Sequence, residues 1–370
     1  MSVPACPPDA PSEDPEAEPP DLLIACTDRL DWPEAAARAH WASLPADPAL
    51  HRRLLAEIPA LGAIEARLPR DPLPPPAAAA RILFWNVARL REGPRIAVRL
   101  AELAPAACLL AEADLGMARS GNRHTVAELA EWLGQGYLFG VEFLELGLGD
   151  AEERRRHAGE GNLAGLHGNA ILSPHVLTRL AMLRLDRSGR WFEDAEGERR
   201  IGGRMALLAQ LEIAGRPVTL VCAHLESHTD PADRRRQMAR LLDGIEAYDP
   251  EAPVLIGGDF NTTGFARSQR PEATRLRRAL AAEPERLRRP EAHEPLFALA
   301  RERGYDWHAC NGAGEPTQRR LPGDDRPAGR LDWFFARGLR CRDPRTLPAV
   351  DADGRLLSDH EAIMVTITPA

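Results

Sequence analysis

The sequence predicts an α/β fold built on mixed sheets, and three observations carry that prediction. From residue 81 onward, short apolar runs alternate with longer stretches of helical periodicity. Several runs follow one another with no helix between them, among them GNAILSP, RMALLAQLEI and PVTLVCAHL. Their strands can therefore pair antiparallel, and the strict strand–helix beat of a doubly wound sheet is missing. A chain of 370 residues with 44% hydrophobic and 28% charged residues has the apolar mass for a large core and the charge to solvate its surface.

Residues 1–20 are rich in proline and acid and are expected to be disordered. Residues 21–78 read as an acidic helical extension and linker. Pro33 suits a first helical turn after Asp31, the segment from Pro48 to Leu68 carries apolar residues at helical spacing, and DPLPPPAAAA (71–80) is stiffened by proline. The main domain is expected over 79–370. RILFWNV (81–87) reads as a buried strand, 94–104 as a helix and 107–113 as a second strand. A helix over 124–134 ends on Gly134 as its C-cap, and 137–146 is a strand. After the three runs quoted above, a helix over 230–245 starts at Asp230 and Pro231. PVLIGGDFN (253–261), RLDWFFARG (330–338) and AIMVTIT (362–368) are the remaining strands. No internal repeat is present.

Lysine is absent, so all 47 basic side chains are arginine. A GC-rich genome produces such a composition. The absence also excludes Schiff-base and Ser-Lys chemistry, P-loop enzymes and active protein kinases, each of which needs a lysine. The net charge of −8 is uneven: residues 1–78 hold 13 acids and 6 arginines, a net of −7, which leaves −1 for the rest. Such a main body is not the basic surface of a general nucleic-acid binder. The six cysteines share no C-x-x-C spacing, and Cys108 and Cys222 sit in apolar runs, so no disulfide framework is expected. The first 20 residues lack the basic and apolar regions of a secretory signal, and no run reaches membrane-spanning length. A cytoplasmic monomer is the resulting expectation.

One pattern recurs along the strands. Each runs apolar and then stops on an acid, an amide or a histidine: Asn86, Glu112, His224, Asp259 with Asn261, Asp332, and Asp359 with His360. Burying one unpaired carboxylate costs several kcal/mol, so a separate burial at every strand end is improbable. A shared polar site at one rim, with a cation to neutralise the carboxylates, accounts for them together. Oxygen donors without cysteine suit Mg²⁺ or Mn²⁺ rather than structural zinc. Carboxylates, amides and histidines around such a cation form a phosphoester-cleaving set.

The series WN (85–86), Glu112, AHL (223–225), GGDFN (257–261), LDWFF (331–335) and SDH (358–360) resembles, in this order, the motifs of the endonuclease/exonuclease/phosphatase superfamily. The resemblance covers about residues 81–368. It implies a four-layer α/β/β/α sandwich, two mixed sheets face to face with helices outside. It implies a divalent-metal-dependent phosphoesterase acting on a phosphodiester or phosphomonoester by attack of activated water. By resemblance, Glu112, Asn86 and Asp359 hold the metal. Asp259 orients or deprotonates the water, Asn261 contacts the phosphate, and His360, held by Asp332, acts with His224 on the phosphate side. The chain departs from the family at Ala111, where Gln often stands, and at Ala88, where many nucleases carry Asn or Asp. Residues 112–134 resemble bacterial members.

Arg119 and Arg123, just after the Glu112 strand, are the candidate phosphate ligands. Arg234–Arg236 read as a solvated helix face. Glu142 or Glu145 could partner His224, and Trp333 and Phe335 read as core. His224 and His228 stand four apart but on a strand end and loop, which disfavours a zinc pair. No G-x-S-x-G elbow is present. The substrate is expected to be a phosphoester, with nucleic acid one candidate and a phospholipid or inositol phosphate another. A catalytically inactive member acting as a binding module is the remaining alternative.

Overall fold

The computed structural model describes residues 20–193, 197–265, 278, 280–319 and 328–370. The expectation of disorder over residues 1–20 lies, except for Pro20, outside the described residues. The strands are β1 (Leu22–Leu23), β2 (Cys26–Thr27), β3 (Ile64–Arg67), β4 (Ala80–Arg89), β5 (Ala107–Leu115), β6 (Gly136–Glu145), β7 (Leu166–Ser173), β8 (Thr178–Arg184), β9 (Arg200–Gly202), β10 (Met205–Ile213), β11 (Arg216–His224), β12 (Val254–Asp259), β13 (Asp332–Arg337), β14 (Leu339–Leu347) and β15 (Ala362–Pro369). The helices are α1 (Ala35–Ser43), α2 (Pro48–Glu57), α3 (Pro59–Gly62), α4 (Gly93–Leu103), α5 (Thr125–Leu133), α6 (Ala151–Arg156), α7 (Pro231–Tyr248) and α8 (Leu296–Glu302).

Two sheets form. One runs β1-β8-β10-β11-β12-β13, the other β14-β15-β4-β5-β7-β6-β3-β2 with β9 added on β6. Both are mixed: β11 with β12 and β4 with β5 are parallel, while β10 with β11 and β12 with β13 are antiparallel. The sheets pack face to face through Phe84, Leu109, Ile171, Leu207, Leu220 and Phe334. Ile96, Leu100, Val126 and Leu129 of α4 and α5 cover the outer face of the larger sheet. Met238, Leu241, Ile245 and Phe297 of α7 and α8 cover the smaller one. These four layers bury apolar side chains on both faces of the central strands, which is why RILFWN reads as a continuous apolar run rather than an alternating one.

Local chemistry sets the boundaries. Asp230 accepts a hydrogen bond from the Asp233 N–H at 2.8 Å and Pro231 occupies the first turn, so α7 begins where the sequence places it. Gly134 ends α5 with φ of 64°, a left-handed conformation that glycine adopts without a Cβ clash. In GGDFN, a Cβ on Gly258 would meet the Ala223 carbonyl oxygen at 2.5 Å, and one on Gly257 would meet Leu109 and Phe334 at 2.8 Å. The two glycines let β12 lie close to β11 and to the opposite sheet just before Asp259.

The extension is not a separate helical unit. Its helices α1 and α2 form as expected, but β1 pairs with β8 and β3 with β6, so residues 22–67 add strands to both sheets. Strands of two to four residues give too short a pattern to be read. The 71–80 stretch is anchored as well: Leu73 N–H donates to the Pro174 carbonyl at 2.9 Å. No helix among the described residues is long and apolar enough to cross a membrane. Cys26, Cys108, Cys222, Cys310 and Cys341 are free thiols.

Candidate active site

Strand register builds the centre of the site. His224 pairs with Asp259 across the parallel β11/β12 ladder, and Asp259 pairs with Asp332 across the antiparallel β12/β13 ladder. Three polar side chains thus stand side by side on three neighbouring strands. All three residues are buried. His360 enters from just before β15 and completes the row: its Nδ1 lies 2.8 Å from Asp332 Oδ2 and its Nε2 lies 3.8 Å from Asp259 Oδ2. His224 approaches from the other side, with Nε2 3.7 Å from the same Asp259 oxygen. Each histidine has a carboxylate behind it. Asp332 backs His360, and Glu142 lies 3.4 Å from His224 Nδ1. Of the two glutamates left open by the sequence, Glu142 is the partner. Glu145 instead faces Arg200 at 2.9 Å.

The larger sheet supplies the second half. Asn86 Nδ2 donates to Glu112 Oε1 at 3.0 Å and to Asp259 Oδ2 at 3.1 Å, so one amide joins carboxylates from the two sheets. Both Asn86 and Glu112 sit at β-bulges, where the β4/β5 and β5/β7 registers slip. Glu112 holds φ of 61° and Asn261 φ of 49°, conformations that non-glycine residues rarely keep unless surroundings enforce them. A bulge re-aims a side chain at a sheet rim, and here it turns Glu112 toward the amide. Asn261 is fixed by its N–H to Asp259 Oδ1 at 2.9 Å and by its side-chain amide to the Leu225 carbonyl at 3.0 Å. Asp359 is half-buried beside His360 and adds to the negative field on that ring.

Burial and charge act in opposite directions here. Burial disfavours the His360 cation, but Asp332 and Asp259 outweigh it and hold the imidazole well above its usual pKa. Burial and the neighbouring Asp332 push the Asp259 carboxyl up, against His360 and His224. Burial likewise opposes ionisation of Glu112, yet Arg89, His224 and His167 hold it well below the usual carboxylate range. Asp259, Asp332 and His360 also form a buried cluster whose ligand atoms lie within 4.8 Å of one another. Asp332 directs both oxygens at His360, at 2.8 and 3.1 Å, so it is committed to that ring, and Glu112, joined to Asn86, is the carboxylate left for a cation. Converging carboxylate and amide groups without a thiolate fit a hard divalent ion.

Arg119 is not a phosphate ligand at the rim. Its side chain is fully buried and its fork binds Asp114 through two hydrogen bonds of 2.9 Å, with Glu153 at 3.1 Å. The arginine in this position neutralises an interior carboxylate cluster and leaves no face for a substrate. Arg123 pairs with Glu128 at 3.0 Å and donates to the Ser120 carbonyl at 3.0 Å, and no contact joins it to the residues above. Arg234 corrects the reading of a solvated helix face: it is buried and pairs with Glu294 at 2.6 Å, while Arg235 and Arg236 of the same run are exposed. His228 lies against Trp191 rather than with His224 in a metal pair.

Two arginines belong to the site without having been singled out by the sequence. Arg204 Nη1 lies 3.0 Å from both Glu142 Oε2 and His224 Nδ1, and its Nε lies 3.3 Å from Glu226 Oε2. Arg89 Nη1 lies 2.8 Å from Glu112 Oε2, and its Nε 3.1 Å from Glu153. The signal that could have found them is position: Arg204 stands just before β10, after two glycines, and Arg89 ends β4 three residues past Asn86.

A family model described as Endonuclease/Exonuclease/phosphatase family matches residues 83–360. Among solved structures, an endonuclease/exonuclease/phosphatase from Beutenbergia cavernae is similar at 18% identity and a TM-score of 0.55, covering 79% of this chain and 72% of that one. A family protein from Bacteroides thetaiotaomicron gives 12% identity and a TM-score of 0.53, covering 79% and 95%. The human Nocturnin catalytic domain with bound sulfate gives 16% and 0.52, covering 80% and 95%. No curated protein matches the chain. Family members are typically hydrolases of phosphoesters and generally depend on divalent metals. With the matched segment covering most of the chain, the four-layer sandwich and the motif residues in one rim, the chain belongs to the endonuclease/exonuclease/phosphatase family.

Proposed function

We propose that this chain is a divalent-metal-dependent phosphoesterase that hydrolyses a phosphodiester or phosphomonoester by in-line attack of water. The observation that carries the reading is the position of Asp259 Oδ2, 3.7 and 3.8 Å from the Nε2 atoms of two histidines that each have a carboxylate behind them. Asp259, its pKa raised by burial, orients the attacking water and accepts its proton. His360, kept cationic by Asp332, stabilises charge building on the phosphoryl oxygens, and His224 faces the same group from the opposite side. Asn261, fixed by its two hydrogen bonds, contributes to the phosphate side. Glu112, Asn86 and Asp359 would hold Mg²⁺ or Mn²⁺, and the ion supplies polarisation of a phosphoryl oxygen when bound.

The near-neutral charge of residues 79–370 favours neither nucleic acid nor a smaller phosphoester. The test is turnover by the purified chain with Mg²⁺ on bis-p-nitrophenyl phosphate, single- and double-stranded nucleic acid, phosphoinositides and sphingomyelin. Turnover on one of them, lost with chelator and in Asp259→Asn, supports the reading. Silence on all of them would replace it with the binding-module alternative.

A further inference from the structure

A cleft of about 970 Å³ opens at the β1/β8 edge of the smaller sheet. Its walls are α2 and α3 of the extension, the end of β8 with the loop that follows, and one side of α7. None of Asn86, Glu112, His224, Asp259, Asp332 or His360 lines it. Strand β8, which carries the cleft, is separated from β11 and His224 by β10.

The cleft is lined by seven arginines and four aspartates, a net of +3 in a chain whose total charge is −8. The aspartates are mostly committed. Asp21 pairs with Arg187 at 3.3 Å, Asp233 with Arg190 at 3.0 Å, and Asp243 with Arg303 at 2.7 Å. Asp186 accepts from the Ser188 N–H at 2.8 Å. Arg52 and Arg235 are exposed and make no ion pair among the described residues.

Arg184 lies at the base. It is 2% exposed, yet no carboxylate pairs with it. Its Nη1 donates to the Glu142 and Gly203 carbonyls at 3.2 and 3.1 Å, its Nη2 donates to the Leu61 carbonyl, and its Nε has no partner. Burial pulls its pKa down to about 10, against the field of the neighbouring Glu142. With Arg184 at its base and six further arginines on its walls, the cleft carries more positive charge than its aspartates neutralise. Guanidinium forks match phosphate oxygens in geometry and charge. The volume is that of a pocket for a small molecule rather than a surface dimple.

We infer that this cleft is a second binding site, separate from the phosphoester-cleaving residues, for a small multiply charged phosphate ligand that neutralises the excess positive charge of its walls. Arg52 and Arg235 grip it from the two opposing helices, α2 and α7.

The test is calorimetric titration of the full chain with inorganic pyrophosphate in chelator, so that no divalent ion bridges the probe to the catalytic residues. One saturable site is expected. Arg52→Glu with Arg235→Glu, both at exposed positions, should weaken it at least tenfold while leaving turnover on bis-p-nitrophenyl phosphate unchanged. A control pair on the exposed edge strand, Arg340→Glu with Arg342→Glu, changes the total charge equally and should leave the affinity within twofold. No saturable binding, an affinity unchanged by the cleft pair, or an equal loss in the control pair would each overturn the inference.

Discussion

Arg89 Nη1 stands 2.8 Å from Glu112 Oε2, so the carboxylate best placed to hold a cation already faces a fixed one. The pair is only partly shielded, each side chain being about one-fifth exposed. A second carboxylate, Glu153, holds the Arg89 Nε at 3.1 Å and keeps the guanidinium in place. Glu112 is thereby kept ionised while its field toward an incoming divalent ion is weakened.

Replacing Arg89 with Met should therefore tighten divalent-ion binding, by about tenfold or ~1.4 kcal/mol. Loss of the free Mn²⁺ signal in electron paramagnetic resonance measures this directly, without reference to turnover. Weaker binding in the variant would mean that Arg89 acts mainly by holding Glu112 in position.

Asp259→Asn should abolish turnover and leave the fold intact. The carboxyl is buried and its ionisation is already disfavoured, so removing the charge takes away the proton acceptor without leaving an unmatched buried ion. His360→Ala should lower kcat by about 100-fold or more with little change in Mn²⁺ affinity. Glu112→Gln should do the reverse, weakening Mn²⁺ more than it slows the saturated enzyme. If His360→Ala instead abolishes Mn²⁺ binding, the division of roles between the two histidine–carboxylate pairs and the Glu112 side is wrong.

Strand ends were legible in the sequence because an apolar run that stops on a carboxylate or histidine is costly without a shared site, and Asp259, Asp332 and His360 do meet. Partners across the sheets were less legible. Nothing in the sequence says that His224 and Asp332 flank Asp259, since that depends on a parallel and an antiparallel ladder in register. Arginine carried the least information. Where all 47 basic residues are arginine, the type alone cannot separate Arg204 in the site from Arg119 and Arg234 in the interior or Arg123 at the surface. Edge strands also escaped notice. β14 alternates weakly, carries Pro344 and shifts register between Arg342 and Arg345, as an edge strand guarded against further pairing does.

Asp332→Asn should move the alkaline limb of the pH–rate profile to lower pH. Asp332 is the largest of the charges that raise the His360 pKa, so its loss returns the imidazole toward its usual value and the active cation is lost sooner. The same shift acts on stability in chelator. A raised histidine contributes its full stabilisation below the unfolded pKa of about 6.5 and loses it as pH climbs through the folded value. The wild-type advantage over Asp332→Asn should therefore be greatest below about pH 6.5 and shrink as the buffer is made alkaline. Denaturant titrations at a series of pH values read it, and an advantage that grows with pH would contradict the pairing.

Glu142 carries the opposite sign. Burial opposes its charge, but His224 and Arg204 overcome that and push its pKa down to about 2, from an ordinary value of 4.5. A depressed carboxylate stabilises the fold above its unfolded pKa and loses that contribution as pH falls through the folded one. Glu142→Gln should lower stability at pH 7, and the gap to wild type should close between about pH 4.5 and pH 2. Below that window both chains lack the charge. A gap that persists in full at pH 2 would mean that packing, rather than the ion pair with Arg204, is what the substitution removes.

Arg119 distinguishes a structural arginine from a substrate-gripping one. Its guanidinium is sealed among Asp114, Glu153 and Glu145, and the Asp114 bond is bidentate. Arg119→Met leaves three buried carboxylates short of their counter-charge, and breaking one side of such a cluster costs about 3–5 kcal/mol. The loss should appear as a lower unfolding midpoint in denaturant, with the folded fraction retaining its KM. Partial rescue is expected from Asp114→Asn in the same chain, because that change removes one of the stranded charges. A raised KM with unchanged stability would return Arg119 to the substrate, against the burial that places it in the interior.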